Sequence, residues 1–307
     1  MVLILGVTAS GKGQLAFRLG ESLGAEIISI DSMKVYRRMD IGTCKPPQEA
    51  REKLAYHLID VVEPSESFSV GAFLELANEA MGQIKGRKRP IIAVGGTALY
   101  IKALLYGLFE GPGTDEQIRA ELRARAEAEG AELYRELAKI DPAAAERISP
   151  NDTKRIIRAL EVYKISGKPI SSLQKQFSAE EPLQNWTIVG LRRERTEENK
   201  RINARVKKML AAGLVNEVKS LLAEEKALSK QARCAIGYAE IIDHLSGLVT
   251  LEDAIELIKK NTRRLAKNQR TWFKTFKFVK WLDIEPGEPA EKTFSRAKTL
   301  LNNIVPN

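Results

Sequence analysis

The sequence predicts an α/β fold, a parallel sheet flanked by helices, interrupted by an inserted all-helical block. Three observations predict it. Short apolar runs ending at glycines or turns alternate with stretches whose apolar residues recur at helical spacing. A glycine-rich loop with a single lysine joins the first apolar run to the first helical stretch. From Asp115 to Ile140 the chain is rich in Ala, Glu, Arg and Leu, and little up to Leu183 reads as a strand.

Val2 to Leu5 is a buried strand running into Gly6. Lys12 to Leu23 follows as a helix, with Leu15, Ala16, Leu19 and Leu23 on one face. Glu26 to Ile30 and Ile91 to Val94 are the next strands, the latter ending in Gly95 and Gly96, with a helix over Val70 to Lys85 between them. After Gly111-Pro112-Gly113 the helices Asp115 to Ile140 and Asn151 to Ile165 make up the insertion, and Ser166-Gly167-Lys168-Pro169 breaks the second. Thr187 to Leu191 returns as a strand. Helices over Glu197 to Leu210, Leu214 to Leu222, Tyr238 to Leu245 and Leu251 to Phe276 complete the reading. The expected division is a core of residues 1–114 and 184–307, including C-terminal helices, and a helical insertion of residues 115–183.

A chain of 307 residues can bury two cores. No run of 18 apolar residues is present, and the apolar start Met1 to Gly6 lacks a basic leader, so neither a membrane span nor secretion is expected. Cys44 and Cys234 cannot build a disulfide framework, and no Cys/His pairs stand at zinc spacing. A cytoplasmic protein is expected. The net charge is +9, and nine Lys/Arg fall between Lys259 and Lys280 with no acidic residue among them. One segment thus carries a charge equal to the whole excess, which favours a polyanionic partner.

The loop Gly6-Val7-Thr8-Ala9-Ser10-Gly11-Lys12-Gly13 has the strand-before, helix-after context of a P-loop, in which backbone N–H groups and Lys12 face an anion. The core is therefore expected to be P-loop NTPase-like. Position 13 departs from the pattern: a Ser or Thr hydroxyl there ordinarily ligates Mg²⁺, and Gly has none. Phosphate binding should survive, with a looser magnesium site and a raised magnesium requirement. On its own the loop suits a small-molecule kinase or nucleoside triphosphatase.

Further residues narrow this. Asp31-Ser32 ends the second strand, followed by Tyr36, Met39-Asp40-Ile41-Gly42-Thr43, Gly95-Gly96-Thr97, Pro150-Asn151-Asp152 with Arg155 and Arg158, Ile236-Gly237-Tyr238, and Thr262-Arg263 through Gln269-Arg270-Thr271-Trp272. As an ordered set over about residues 1 to 280, these resemble the tRNA dimethylallyltransferase family. The resemblance implies an enzyme that joins the dimethylallyl group of dimethylallyl pyrophosphate to the exocyclic amine of an adenosine in tRNA, usually adenosine 37, with Mg²⁺ as cofactor. It implies Asp31 as general base and Thr97 against the reacting adenine, with the Gly6–Gly13 loop (Gly6, Val7, Thr8, Ala9, Ser10, Gly11, Lys12, Gly13), Arg201 and Arg205 around the pyrophosphate. It places Asp31, Ser32, Met33, Lys34, Thr97, Arg119, Lys154, Arg155, Ile156, Ile157, Arg158, Arg263, Lys267 and Arg270 against tRNA, and assigns no metal ligand.

Plainer readings stand beside these. Asp31 could cap a helix or hold Mg²⁺, Thr97 could finish a turn, Arg201 and Arg205 could lie on a solvated face, and Arg158 could pair with Glu161. Lys260, Arg263, Lys267, Arg270 and Lys274 form one basic stripe at helical spacing, with Ile258, Leu265 and Trp272 on nearly the opposite, packed face. Compared with the family, Asn268 stands for an Arg and Leu265 for an aromatic. A prenyltransferase of free adenylate, a P-loop kinase or nucleoside triphosphatase, and a nucleic-acid-binding protein without catalysis are the alternatives. The absence of a C-terminal zinc finger favours the bacterial type. The expected partners are tRNA and dimethylallyl pyrophosphate, with no membrane and a monomeric chain.

Overall fold

The computed structural model describes residues 1–108, 111–174 and 182–302, and the chain divides into two compact units, Met1–Leu105 with Pro182–Asn307, and Tyr106–Glu181. In the larger unit, β1 (Val2–Gly6), α1 (Lys12–Leu23), β2 (Glu26–Ile30), α2 (Gln48–Lys53), β3 (Tyr56–His57), α3 (Val70–Gly86), β4 (Ile91–Gly95) and α4 (Ala98–Tyr106) lead to the second unit. That unit holds α5 (Glu116–Ile140), α6 (Pro142–Arg147), α7 (Thr153–Ser166) and α8 (Ile170–Leu173). The chain then returns through β5 (Thr187–Arg193), α9 (Arg195–Ala211), α10 (Leu214–Leu222), α11 (Lys230–Arg233), α12 (Tyr238–Leu245), α13 (Leu251–Phe273), β6 (Lys280–Ile284) and α14 (Ala290–Asn302).

The six strands form one parallel sheet in the order β3-β2-β4-β1-β5-β6, the P-loop NTPase-like arrangement expected. Central strands covered on both faces read as continuous apolar runs. Accordingly Leu3, Ile4 and Leu5 are fully buried, as are Ile27, Ile28 and Ile30. Leu15, Ala16 and Leu19 of α1 pack into the same core as Ile4, Ile27, Ile92 and Val189. Leu5 pairs with Gly95 on one side and Gly190 on the other, and Ile30 also pairs with Gly95, so the ends of β1, β2, β4 and β5 lie at one sheet edge. In parallel α/β sheets this carboxyl edge is where ligands bind. β4 can reach it only as glycine: a Cβ at Gly95 would fall on the carbonyl oxygen of Ile30.

The second unit is helical around Leu122, Leu133, Leu137, Ile156 and Leu160. Asp115 caps α5 through the N–H groups of Gln117 and Ile118, and Asp152 caps α7 through that of Arg155. α5 breaks its helical geometry at Glu129.

The structure departs from the sequence expectations in three respects. It contains α4, α6, β6 and α14, and the short elements α2, β3, α8 and α11, which the apolar pattern does not announce. The last expected helix ends at Phe273 instead of Phe276, and Lys274, Lys277 and Lys280 lie beyond it, because the chain turns through a left-handed Phe278 into β6. The packed face of α13 is also different: Ala254, Ile258, Thr262, Ala266, Gln269 and Phe273 are buried, whereas Leu265 is 39% exposed. Leu265 and Trp272 lie within the same angular face as the buried residues but border the cavity at the carboxyl edge of the sheet instead of being fully covered.

Candidate active site

The carboxyl edge of the sheet opens into a cavity of about 970 Å³. Its wall includes Thr8, Ala9, Gly11, Lys12 and Gly13 of the loop, Asp31 to Lys34 after β2, Gly95 to Leu99 after β4, Arg201 and Arg205 of α9, and Leu265, Gln269 and Trp272 of α13. The loop after β1, the carboxylate after β2 and the threonine after β4 thus meet in one place.

The loop is built by its backbone. Ala9 and Gly11 are left-handed, with φ of 63° and 100°. The Ser10 N–H donates to Val7 O (3.2 Å), and Lys12 Nζ donates to the same carbonyl (3.1 Å). Lys12 and Gly13 open α1, so their N–H groups are helix-end donors without intrahelical acceptors. Three arginines hold three consecutive loop residues: Arg205 Nη1 donates to Thr8 Oγ1 (3.1 Å), Arg201 Nε to Ala9 O (2.8 Å) and Arg193 Nε to Ser10 O (2.9 Å). Arg193 is a residue that sequence reasoning missed, as its only signal is a place at the end of a strand beside β1. Gly6, Val7 and Ser10 do not line the cavity; Gly6 pairs with Leu191 in the sheet, and the Ser10 hydroxyl is buried without a hydrogen-bond partner.

This concentration of cations has an electrostatic signature. Burial, then the charges of Arg205 and Lys34, pushes the Lys12 ammonium down to about 7. Burial also lowers Lys34, against the opposing pull of Asp31. An anion bound among these groups would raise both lysines.

Asp31 Oδ1 accepts the N–H groups of Met33 (2.9 Å) and Lys34 (3.3 Å), and Asp31 is the sole carboxylate among the cavity-lining residues. Thr97 Oγ1 accepts the Ser32 N–H (3.1 Å), so Thr97 fixes the loop that carries Asp31. Glu217 of α10 was also missed. Its carboxylate accepts the N–H groups of Asp40 (3.0 Å), Ile41 (2.8 Å) and Gly42 (3.1 Å) and the Tyr238 hydroxyl (2.6 Å), pinning the segment that brings Gly42 to Lys45 to the cavity.

Among the described residues no three His, Cys, Asp or Glu side chains gather to hold a metal. A Cβ at Gly13 would meet nothing within 4 Å, so the position lacks a hydroxyl and has room for one. The donor set therefore fits a hard cation held by one carboxylate, Asp31, with phosphate oxygens and water completing its shell.

The expected RNA-facing residues fall into two groups. On α13, Lys267 is exposed, Arg263 donates to Asn203 Oδ1 (2.9 Å), and Arg270 pairs with Glu198, a buried carboxylate raised by burial against the pull of Arg270. In the helical unit, Lys154 and Arg155 are exposed, and Arg155 lies 3.3 Å from Asp152. Arg119 and Arg158 both turn to Glu161, whose side chain is fully buried (2.9 Å and 2.7 Å). Although burial alone would raise it, the hydrogen bonds from Arg158, the Asp115 N–H and Arg119 hold the Glu161 carboxyl below its ordinary value. Arg158 also donates to the carbonyls of Pro112 (2.8 Å) and Gly113 (3.0 Å). The pairing with Glu161 anticipated as the plainer reading is thus present. Ile156 and Ile157 are 2% and 7% exposed, so their side chains belong to the core of α7 and not to its surface.

Comparison with known proteins identifies a family. The model of the IPP transferase family matches residues 34–276. The chain belongs to the IPP transferase family. The match begins just past Asp31, while similarity to individual members reaches over nearly the whole chain. The tRNA dimethylallyltransferase of Geobacter metallireducens is 45% identical over 94% of this chain and 93% of its own length. That of Thermotoga maritima is 42% identical over 95% and 96%. Among solved structures, the tRNA isopentenylpyrophosphate transferase of Bacillus halodurans superposes with a TM-score of 0.73 at 40% identity, covering 98% of this chain and 95% of that one. A eukaryotic dimethylallyltransferase acting on tRNA superposes with a TM-score of 0.83 at 27% identity, covering 99% and 79%. Among the described residues no helix is long and apolar enough to cross a membrane.

Proposed function

We propose that this chain transfers the dimethylallyl group of dimethylallyl pyrophosphate to the N6 amine of an adenosine in tRNA and releases pyrophosphate. The observation that carries the reading is the opening of the cationic loop and of Asp31 with Thr97 into the same cavity, in a member of the IPP transferase family. The N6 lone pair forms the new C–N bond as the allylic C–O bond breaks, and its electrons leave with pyrophosphate. The N–H donors of the loop, Lys12, Arg201 and Arg205 receive that growing negative charge. Asp31 takes the proton that the amine must shed, held in place by the N–H groups on its Oδ1. Asp31 would hold a Mg²⁺ ion beside the bound pyrophosphate, and the ion would supply further positive charge at the leaving group.

Lys267 and its neighbours on α13 hold the RNA backbone in this reading, and Lys154 and Arg155 provide a separate basic contact on the helical unit, Tyr106–Glu181. The target base must leave its stack to reach the donor carbon. Adenosine 37, a monomeric chain and a cytoplasmic setting complete the proposal. A kinase or nucleoside triphosphatase is disfavoured because it leaves Gly95-Gly96-Thr97 and the Thr262–Trp272 segment unexplained. Incubation with tRNA, dimethylallyl pyrophosphate and Mg²⁺, followed by nucleoside mass analysis, tests the reading. A dimethylallyl adduct on adenosine is expected, and ATP hydrolysis without an adduct would refute it.

A further inference from the structure

We propose that Gln269 is a positioning residue for the transfer step, setting the spacing between the donor loop and the acceptor side of the cavity. The proposal rests on the reading above of that cavity as a prenyl-transfer site. Gln269 is 8% exposed on the packed side of a helix that is otherwise strongly basic. A buried amide is costly unless both of its ends are satisfied, and here both ends are used for the same purpose. Oε1 accepts the N–H of Thr8 in the donor loop (2.8 Å), and Nε2 donates to the carbonyl of Gly96 (2.9 Å). A single planar side chain therefore spans the ends of β1 and β4.

Each end leads on to reacting groups. Thr8 is also held from its hydroxyl by Arg205, so the loop is gripped from α13 and α9 together. Gly96 precedes Thr97, whose hydroxyl holds the Ser32 N–H beside Asp31. The approach is close enough that a Cβ at Gly96 would lie 2.5 Å from Gln269 Nε2, which accounts for the second glycine of the Gly95-Gly96-Thr97 sequence. Because Gln269 sits between Lys267 and Arg270, the helix proposed to hold RNA is tied to the pyrophosphate loop through the same amide. The Thr8 N–H it occupies is thereby unavailable to the pyrophosphate, so Gln269 shapes the loop without itself neutralising charge.

Gln269→Met keeps the length and most of the volume but removes both hydrogen bonds. Gln269→Glu keeps the acceptor for Thr8 and turns an oxygen towards the Gly96 carbonyl. The assay is single-turnover transfer at saturating tRNA and dimethylallyl pyrophosphate, with the dissociation constants of inorganic pyrophosphate and of tRNA and the melting temperature measured on the same samples. In both variants the transfer rate is expected to fall about 10- to 100-fold while the two dissociation constants stay within about threefold of the parent, because misplacement of bound groups slows the step without releasing them. A purely structural glutamine would lower the melting temperature and leave the rate of the folded, saturated enzyme unchanged. An unchanged rate in whichever variant folds, or a loss confined to the two dissociation constants, overturns the proposal. Failure of the prenyl-transfer reading is seen separately, as absence of transfer by the parent protein.

Discussion

The depressed Lys12 makes donor binding pH-dependent in a definite direction. In the free protein, burial and the nearby charges of Arg205 and Lys34 push its ammonium down to about 7, well below the ordinary 10.5. Above pH 7 the empty site therefore holds increasing amounts of neutral lysine. A bound pyrophosphate favours the ammonium and lifts its pKa, so binding at pH 8 must take up a proton. Between the free and bound pKa values, affinity falls by up to about tenfold for each unit that pH rises. Below pH 7 Lys12 is already charged, and its contribution to the pH dependence disappears. Titration calorimetry with inorganic pyrophosphate from pH 6 to 9, repeated in two buffers of different ionisation enthalpy, counts the protons taken up. Pyrophosphate titrates too, so Lys12→Arg, whose guanidinium stays charged throughout, supplies the baseline. The parent should show an extra uptake approaching one proton above pH 7 that the Arg variant lacks. Identical proton uptake by the two proteins would refute the reasoning.

Two further predictions concern the loop and α13. Gly13→Thr enters open space; it should keep the fold, stabilise the start of α1 by about 0.5 kcal/mol, and lower the Mg²⁺ concentration needed for half-maximal activity, whereas coincident magnesium titrations would mean the hydroxyl is dispensable. Lys267→Ala should flatten the salt dependence of tRNA binding by about one unit of log–log slope with the melting temperature unchanged, while Arg270→Ala, which strands the buried Glu198, should cost about 2 kcal/mol or more in a denaturant titration; equal salt slopes and equal stabilities for the two would contradict this division of roles.

The parts legible in the sequence are those that chemistry forces into a short span. The loop from Gly6 to Gly13 needs consecutive small residues and one lysine, and the central strands need unbroken apolar runs, so both stood out. Arg193 did not, and Gln269 entered only within the motif ending at Trp272 with no role attached, because their partners in the loop lie 183 and 261 residues away and nothing local distinguishes a bridging amide from a surface one. Glu217 was hidden for a similar reason: a single acid in an amphipathic helix gives no hint that it will accept three successive backbone N–H groups. β6 escaped because Lys280 and Asp283 break its apolar run, as suits a strand at the sheet edge. The pairing of Arg158 with Glu161 was legible at i,i+3 spacing, whereas Arg119 reaches the same fully buried carboxylate across 42 residues and gave no local sign of it.

The central claim is that the cavity joins a pyrophosphate-holding loop to a carboxylate that accepts the proton of the adenine amine. Asp31→Asn tests it most directly, since the amide preserves shape and can still accept the Met33 N–H on its oxygen, but cannot take the proton. Single-turnover transfer from dimethylallyl pyrophosphate to tRNA is followed by nucleoside mass analysis, with tRNA and pyrophosphate affinities measured alongside. The account predicts a transfer rate lowered by about 10²-fold or more, with both affinities close to those of the parent. Transfer by the Asn variant at the parental rate, or a loss of affinity that matches the loss of rate, would contradict it.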